Sequence, residues 1–322
     1  DSSSTGGNVD VKTGGLLTLN NDVNAGTGTV YLTSGAGITQ GAAKILAGTL
    51  GMNAGGAIVV NSATNDVATL GATTSSGTIT YQDANALALS SVGANGGNFL
   101  GTGATVAIST ANADVDVKTL TGAGTLTLNN DVNAGAGNVY FTAGGGITQA
   151  GGKIIANALG MNAAGAINVN SATNDVATIA ANTTSGGITY QDANALAVGT
   201  VVASGNFTGA TGITTDAGAV ALTRVAGDIT SSQAVTTTST LSNGTASGAV
   251  SITTAAGNIN LGGDIVTTGA NRTVASSGAA SAGGQVDLTA NGGTINVANI
   301  TTSGGNHTGA GAGDDGGSAG AI

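Results

Sequence analysis

Cysteine, proline, tryptophan and glutamate are all absent from this chain of 322 residues. Without cysteine no disulfide can stabilise the fold, and the redox compartment cannot be inferred from cysteine content. Helices are favoured by Ala, Leu, Glu, Lys, Gln and Arg. Of these residues only alanine is abundant here, and Gly, Thr, Asn and Ser dilute it. The sequence therefore predicts few or no long helices.

Charge is also scarce, because only 7% of the residues are charged. Sixteen acidic residues against six basic ones give a formal net charge of −10. The basic residues stand singly, at Lys12, Lys44, Lys118, Lys153, Arg224 and Arg272. A nucleic-acid partner requires a basic cluster, so none is expected. No apolar run approaches the ~20 residues of a membrane helix, so no membrane span is expected either.

Glycine is abundant, with 58 residues, and 40% of the chain is hydrophobic. Disordered chains combine low hydrophobicity with high net charge, which does not describe this composition. The apolar residues come in short bursts bounded by Gly, Asn, Asp, Ser or Thr. This pattern predicts many short strands joined by tight turns in which glycine supplies positive φ angles.

An internal duplication of about 109 residues organises the chain. LTLNNDVNAG (17–26) returns at 126–135, and YQDANALA (81–88) returns at 190–197. Repeats of this kind set the architecture and favour a function carried by a repeated surface. We expect one continuous β-solenoid over 1–322, divided as copy one 9–114, copy two 115–223, diverged rungs 224–304 and a loose Gly-rich tail 305–322.

The cadence distinguishes between β architectures. Two-residue NG or DG loops between alternating strands would indicate hairpins. Instead, strand bursts recur every ~7–11 residues and stronger glycine punctuation every ~20–25, which is typical of a parallel β-helix. The prediction is a right-handed parallel β-helix of about fifteen rungs. In its strands Ile79 and Ile188, which are copies of one position, should point inward.

Three segments carry a resemblance to a known family: GNVYFTAGGGITQ (137–149), GAVSITTAAGNINLGGDIVTTG (248–269) and GGQVDLTANGGTINVANITTSG (283–304). Their texture resembles the repeat regions of filamentous-haemagglutinin-like adhesins and related autotransporter passengers. The resemblance covers most of the chain and rests on repeat texture, with no signature motif. It implies a right-handed β-helix, export to the bacterial cell surface, and an adhesive or fibrous role.

No constellation predicts a catalytic or cofactor site. Calcium needs six to eight oxygen ligands, whereas each repeated turn offers one carboxylate. The turns that could hold an incidental Ca²⁺ are those of Asp22, Asp131, Asp66 and Asp175. Their other interpretation is structural, because Asn and Asp cap turns and tolerate the left-handed conformation. The tyrosines are two duplicated pairs and are interpreted as packing residues, and the sole histidine, His307, as a solvated loop residue.

The expected function is therefore non-enzymatic. The chain is predicted to be an extracellular structural protein that self-associates end to end or side by side into a cell-surface fibre. The alternative is a stalk or binding segment of a giant secreted adhesin, with cell-surface or carbohydrate ligands. Two less favoured alternatives are a polysaccharide-active β-helix enzyme and an ice-binding solenoid. Isolated basic residues argue against the first, and an incomplete Thr-x-Thr ladder, in which Gly187 replaces Thr78, argues against the second.

Overall fold

The computed structural model describes residues 2–3, 6–122, 124–240, 245–272, 280–307 and 316–322. These residues contain β-strands and no helix, so none of them belongs to a helix that could cross a membrane. The strands pair in parallel from one turn of the chain to the next. The predicted fold class, a parallel β-helix, is therefore confirmed. The described contacts divide the chain into two compact units.

Unit 1 comprises Asp1–Gly160 together with Ala203–Thr208. Its strands are β1 (Ser2–Ser3), β2 (Val9–Thr13), β3 (Leu17–Leu19), β4 (Val23–Asn24), β5 (Thr29–Ser34), β6 (Ile38–Gln40), β7 (Ile45–Ala54), β8 (Ile58–Val60), β9 (Asp66–Thr74), β10 (Ile79–Asp83), β11 (Leu87–Leu89), β12 (Val106–Ser109), β13 (Val115–Thr121), β14 (Leu126–Leu128), β15 (Asp131–Asn133), β16 (Asn138–Gly144), β17 (Ile147–Gln149) and β18 (Ile154–Ala163), whose last residues belong to unit 2.

Apolar side chains of unit 1 stack in inward-facing ladders. One ladder consists of Val9, Val30, Leu50 and Leu70, and another consists of Leu17, Ile38, Ile58 and Ile79. Because side chains alternate across a strand, every second residue enters this core. The β-branched residues and leucines of the short bursts fill these positions, and Ile79 is fully buried as predicted.

The two copies of the duplication are not in phase with the turns of the helix. Val115 corresponds to Val9, because both begin the sequence VDVKT. Val115 nevertheless pairs with Ile79 and Val139, so it continues the ladder of Leu17 and not the ladder of Val9. Equivalent residues of the two copies therefore lie on different faces. The repeated surface expected from the duplication is not formed by simple stacking.

Unit 2 comprises Met161–Val202 and Gly209–Ile322. Its strands are β19 (Ile167–Val169), β20 (Asp175–Thr183), β21 (Ile188–Asp192), β22 (Leu196–Val198), β23 (Thr200–Val201), β24 (Ala210–Thr211), β25 (Ile213–Thr215), β26 (Val220–Arg224), β27 (Ile229–Ser231), β28 (Val235–Thr236), β29 (Val250–Thr254), β30 (Ile259–Leu261), β31 (Ile265–Val266), β32 (Val286–Ala290), β33 (Ile295–Val297) and β34 (Ile300–Thr301). Among them, β23 and β24 form an antiparallel pair.

The main ladder of unit 2 runs through Ile188, Val220, Val250 and Val286. A glycine stands two residues before each of these valines. A Cβ on Gly248 would lie 2.1 Å from the carbonyl oxygen of Gly218, and a Cβ on Gly284 would lie 2.0 Å from that of Gly248. Successive turns therefore approach so closely at this corner that only glycine fits.

The single continuous solenoid and its predicted segments remain predictions. The contacts separate the two units at Gly160 and Met161, inside the predicted copy two. Part of the predicted loose tail at 305–322 is described and is hydrogen-bonded to an earlier turn. Gly283 and Val286 donate backbone hydrogen bonds to Ser318 and Ala321, at 2.9 Å each. Residues 308–315 of the predicted tail lie outside the described residues.

Candidate functional site

Two of the four aspartates proposed as cation ligands accept hydrogen bonds from backbone N–H groups. Asp22 Oδ1 accepts a hydrogen bond from Lys44 N at 2.9 Å, and Asp131 Oδ1 accepts one from Lys153 N at 3.0 Å. Asp66 and Asp175 are exposed at the starts of β9 and β20. Among the described residues no three carboxylates or histidines gather in a way that could hold a metal ion. The structural interpretation of these turns is supported, and an incidental Ca²⁺ stays a hypothesis.

A buried tyrosine–aspartate pair occurs in each copy. Tyr81 donates its hydroxyl hydrogen to Asp83 Oδ2 at 2.7 Å, and Tyr190 donates to Asp192 Oδ2 at 2.6 Å. Burial, opposed by hydrogen bonds from neighbouring groups, raises the pKa of Asp83 to about 6. Burial and the nearby Asp83 charge raise the pKa of Tyr81 well above 10.0. Both side chains of the pair are fully buried, so they are closed to any substrate.

Asp83 Oδ2 also accepts the backbone N–H of Val67 at 3.0 Å, and Asp83 Oδ1 accepts that of Asn85 at 2.9 Å. The carboxylate thus supplies hydrogen bonds at a corner where strand pairing is interrupted. Asp192 repeats both bonds with Val176 and Asn194. The geometry is that of a structural corner and confirms that these two tyrosines are packing residues.

Two loops fold back over the outward side of unit 1, and we call them the first flap (residues 92–102) and the second flap (Ala203–Thr208). In the first flap Phe99 packs on Tyr31 with ring centroids 5.2 Å apart. A Cβ on Gly51 would lie 2.7 Å from Phe99 Cζ, so glycine leaves room for the ring. In the second flap Phe207 packs on Tyr140 with centroids 5.4 Å apart.

The two flaps treat one repeated carboxylate differently. Asp10 is exposed and accepts hydrogen bonds from the side-chain amides of Asn95 and Asn98, at 2.9 and 3.3 Å. Its counterpart Asp116 is 4% exposed, and its Oδ2 accepts a hydrogen bond from the backbone N–H of Asn206 at 2.5 Å. Asp116 Oδ1 is buried and has no hydrogen-bond partner within the part of the chain that the structure describes. Burial therefore raises the pKa of Asp116 to about 6, against the opposing effects of Asn206 and Lys118.

A shallow groove of about 530 Å³ lies beside the first flap. Its floor is a row of outward polar side chains, in which Thr73 donates to Asn53 Oδ1 at 2.6 Å and Asn53 donates to the Gly101 carbonyl at 3.2 Å. Leu100 stands at its rim and is 83% exposed. The groove brings together hydrogen-bonding groups and one apolar contact, but no charged pair that could perform acid–base chemistry.

Unit 2 holds a fully buried arginine, Arg224, directly above Asp192 in the ladder. Its guanidinium donates to the carbonyls of Ala226 and Ala256, at 2.7 and 2.9 Å, and to Thr254 Oγ1 at 3.1 Å. Buried charge is tolerated where hydrogen bonds and an opposite charge compensate its desolvation. Arg224 therefore anchors a corner of the turn. It has no copy in the duplicated segments, so nothing in the sequence indicated that role.

Some inward-facing side chains of β33 are partly exposed. In the ladder Ile229, Ile259, Ile295 the first two side chains are fully buried, whereas Ile295 is 44% exposed. Val297 is 37% exposed above the buried Leu261. Among the described residues β33 pairs with β30 alone.

Ile322 extends the main ladder of unit 2. Val286 donates its N–H to the Ala321 carbonyl at 2.9 Å, in the way that Val250 donates to Gln285 and Val220 to Ala249, at 2.8 Å each. Ile322 thus occupies the next inward position and is 77% exposed. Nothing in the sequence indicated that Ile295 and Val297 are exposed, because the same tripeptide has buried Ile and Val side chains elsewhere in the chain.

The sole histidine differs from its expected setting. His307 is half-buried, and its backbone forms an isolated parallel bridge with that of Arg272. It is therefore less exposed than the solvated loop residue that was expected. No protein-family model, curated protein or solved structure matches this chain. Its class follows from its own geometry: it is a parallel β-helix protein, with the polar groove beside the first flap as its candidate site.

Proposed function

We propose that this chain is a non-enzymatic, extracellular structural protein, a β-helix that forms or extends a cell-surface fibre. The observation that carries the proposal is the stacking of parallel strands within each unit. In unit 2 the ladder of Ile188, Val220, Val250 and Val286 repeats one pairing from turn to turn. Glycine corners bring these successive turns into close contact. A stack that repeats in this way suits a structural role, because each turn is held by its neighbours alone.

Stacking of turns is energetically favourable. Apolar surface removed from water contributes about 25 cal/mol per Å², so each Ile or Val side chain that a neighbouring turn covers adds on the order of 1 kcal/mol. Turns of a solenoid contact only their neighbours, and stability grows as neighbours are added. Lengthening such a stack therefore stabilises it, as a fibre requires.

The absence of an enzymatic role is supported by where the titratable groups lie. The carboxylates with raised pKa values, Asp83, Asp116 and Asp192, lie in closed corners or beneath a flap. A general acid or base must reach the proton that it transfers, within hydrogen-bond distance of a substrate. The groove beside the first flap contains none of these three groups.

The alternative is a stalk or binding segment of a giant secreted adhesin, and the groove favours it. The groove offers the Asn53 and Thr73 side chains and the exposed Leu100 to a cell-surface or carbohydrate ligand. A stalk of this kind needs no contact between copies. Both roles agree with the resemblance to filamentous-haemagglutinin-like exoproteins, and both place the chain at the bacterial cell surface.

Electron microscopy of the purified chain without ligand tests the proposal, together with sedimentation over a range of concentrations. Fibres with an axial repeat of about 4.8 Å are expected, because turns of a β-helix stack at the strand spacing. A chain that sediments as a monomer at high concentration and shows only isolated particles would exclude the fibre role. Binding of a panel of surface glycans by that monomer, lost on Asn53→Ala, would then support the stalk.

A further inference from the structure

The second flap covers a carboxyl group that has little polar compensation. Asp116 is buried beneath residues 203–208, and both belong to unit 1. Its Oδ1 atom has no hydrogen-bond partner among the described residues, and its Oδ2 atom accepts a hydrogen bond from the backbone N–H of Asn206. We infer that the second flap is a pH-operated cover, which stays closed over neutral Asp116 and opens when that carboxyl group ionises. This inference goes beyond the proposed fibre function and does not depend on it.

The backbone of the flap lies directly against the carboxyl group. A Cβ on Gly205 would lie 2.2 Å from Asp116 Oδ2, so no other residue type fits at this position without a shift. Gly205 also has a φ of 55°, in the left-handed region that glycine adopts readily. A carboxylate removed from water without compensating hydrogen bonds is costly to bury, and a neutral carboxyl group is much less costly. Closure of the flap therefore favours the neutral form of Asp116.

The groups that face Asp116 do not offset this cost. In the ladder of outward side chains it lies between the neutral Thr80 of β10 and Tyr140 of β16, and the flap itself carries no charged residue. Asp114 accepts a hydrogen bond from the Tyr140 hydroxyl at 3.4 Å and adds negative charge on that side. Lys118, on the same strand as Asp116, favours the ionised form. Burial outweighs that attraction and raises the pKa of Asp116 from 3.8 to about 6.

Polar and aromatic contacts hold the flap closed. The side-chain amide of Asn206 donates a hydrogen bond to Asn61 Oδ1 at 2.7 Å, and the ring of Phe207 packs on Tyr140. Inside the flap, the backbones of Ser204 and Phe207 exchange two hydrogen bonds, at 3.0 and 2.9 Å. In the closed state Tyr140 and Phe207 are each 2% exposed. Opening of the flap would therefore bring two aromatic rings to the surface.

The first flap provides an internal comparison. Both flaps contain the tripeptide Gly-Asn-Phe, at 97–99 and at 205–207. They differ in the carboxylate beneath them, because Asp10 is exposed and accepts hydrogen bonds from the side-chain amides of Asn95 and Asn98. Its charge is thus compensated while the flap is closed. Ionisation gives the first flap no reason to open.

Amide hydrogen exchange in the chain labelled with ¹⁵N-phenylalanine tests the inference, because the chain has only three phenylalanines. Phe99 and Phe207 report the two flaps, and the fully buried Phe141 of β16 reports global unfolding. Each flap phenylalanine follows an asparagine, so the intrinsic exchange chemistry cancels in the ratio of their rates. The Phe207 N–H is bonded to the Ser204 carbonyl in a turn too short to persist away from the surface.

The ratio of the Phe207 rate to the Phe99 rate should rise between about pH 5 and about pH 7. The rise should reach up to about a hundredfold, because opening returns the pKa of Asp116 from about 6 towards 3.8. In Asp116→Asn the ratio should stay constant with pH. The matched variant Asp10→Asn should shift the ratio by a constant factor and keep its rise.

Two results would overturn the inference: a ratio that does not change with pH in the unchanged chain, and a rise that persists in Asp116→Asn. A rise of equal size for Phe141 would also overturn it, because the event would then be global unfolding and not opening of the flap. Fibre formation has no part in this measurement, so its outcome leaves the proposed function to be decided separately.

Discussion

Tyr81 donates a hydrogen bond to Asp83 across 2.7 Å inside a core that excludes both side chains from water. Hydrogen bonds to charged groups contribute about 1.5–3 kcal/mol. Tyr81→Phe should therefore lower the free energy of unfolding by about that amount at pH 7. Urea denaturation followed by circular dichroism measures it. The matched control is Tyr31→Phe, whose half-buried ring packs on Phe99. Equal losses for the two variants would show that the buried hydrogen bond of Tyr81 contributes nothing beyond the loss of a hydroxyl group.

Stability should fall as the pH rises from about 4 to about 6. Burial raises the pKa values of Asp83 and Asp116 from 3.8 to about 6 in the folded chain. A carboxyl whose pKa is higher in the folded than in the unfolded state favours folding when it is protonated, and this contribution is lost as the pH passes through the folded value. Across this pH range each group changes the free energy of unfolding by up to about 3 kcal/mol.

Thermal unfolding between pH 4 and pH 7 measures the effect. Asp116→Asn should flatten the pH dependence, because the residue that ionises under the second flap is then absent. Asp10→Asn serves as its control, since Asp10 is exposed beneath the first flap. A slope that survives in Asp116→Asn but disappears in Asp10→Asn would contradict this account.

Adjacent residues of β21 should respond in opposite ways to the same substitution. Ile188 is fully buried, and its neighbour Thr189 is exposed. Ile188→Asp buries an unpaired carboxylate and should cost several kcal/mol, or leave the chain unfolded. Thr189→Asp should change the free energy of unfolding by less than about 0.5 kcal/mol. The melting temperatures of the two variants decide the matter, and comparable values would mean that the strand faces are assigned the wrong way round.

The glycine corner of unit 2 should not tolerate a methyl group. In Gly248→Ala the new Cβ would lie 2.1 Å from the Gly218 carbonyl oxygen. Because that oxygen belongs to the backbone, it cannot move aside without distorting the turn. A loss of at least about 1–3 kcal/mol is expected from the overpacking. Gly41→Ala is the control, because its nearest neighbour, the Leu19 carbonyl oxygen, lies 3.6 Å away. Denaturant titration compares the two, and an unchanged midpoint for Gly248→Ala would contradict the close stacking.

The groove, the flaps and the phase of the duplication could not be predicted from the sequence. The contact of Phe99 with Tyr31 joins residues far apart in the chain, and no local periodicity announces it. Asp10 and Asp116 stand in identical pentapeptides, yet one is exposed and the other buried, because the flaps that cover them differ. The phase of the duplication relative to the turns depends on which strands occupy each turn. The pairing of Val115 with Ile79 shows that phase, and the sequence does not.

The sequence by itself determined the parallel β-helix and the inward direction of Ile79 and Ile188. Both follow from local physics: short alternating apolar segments pack on one side, glycine and Asx turns bend the chain, and a long duplication implies stacking. The tertiary structure decided which copies of identical letters are covered. Ile167 and Val169 are buried beside Ile188 and Tyr190, whereas Ile295 and Val297 are partly exposed. Burial depends on the strands that the ladder places against a residue, and that is a property of the tertiary structure and not of the tripeptide.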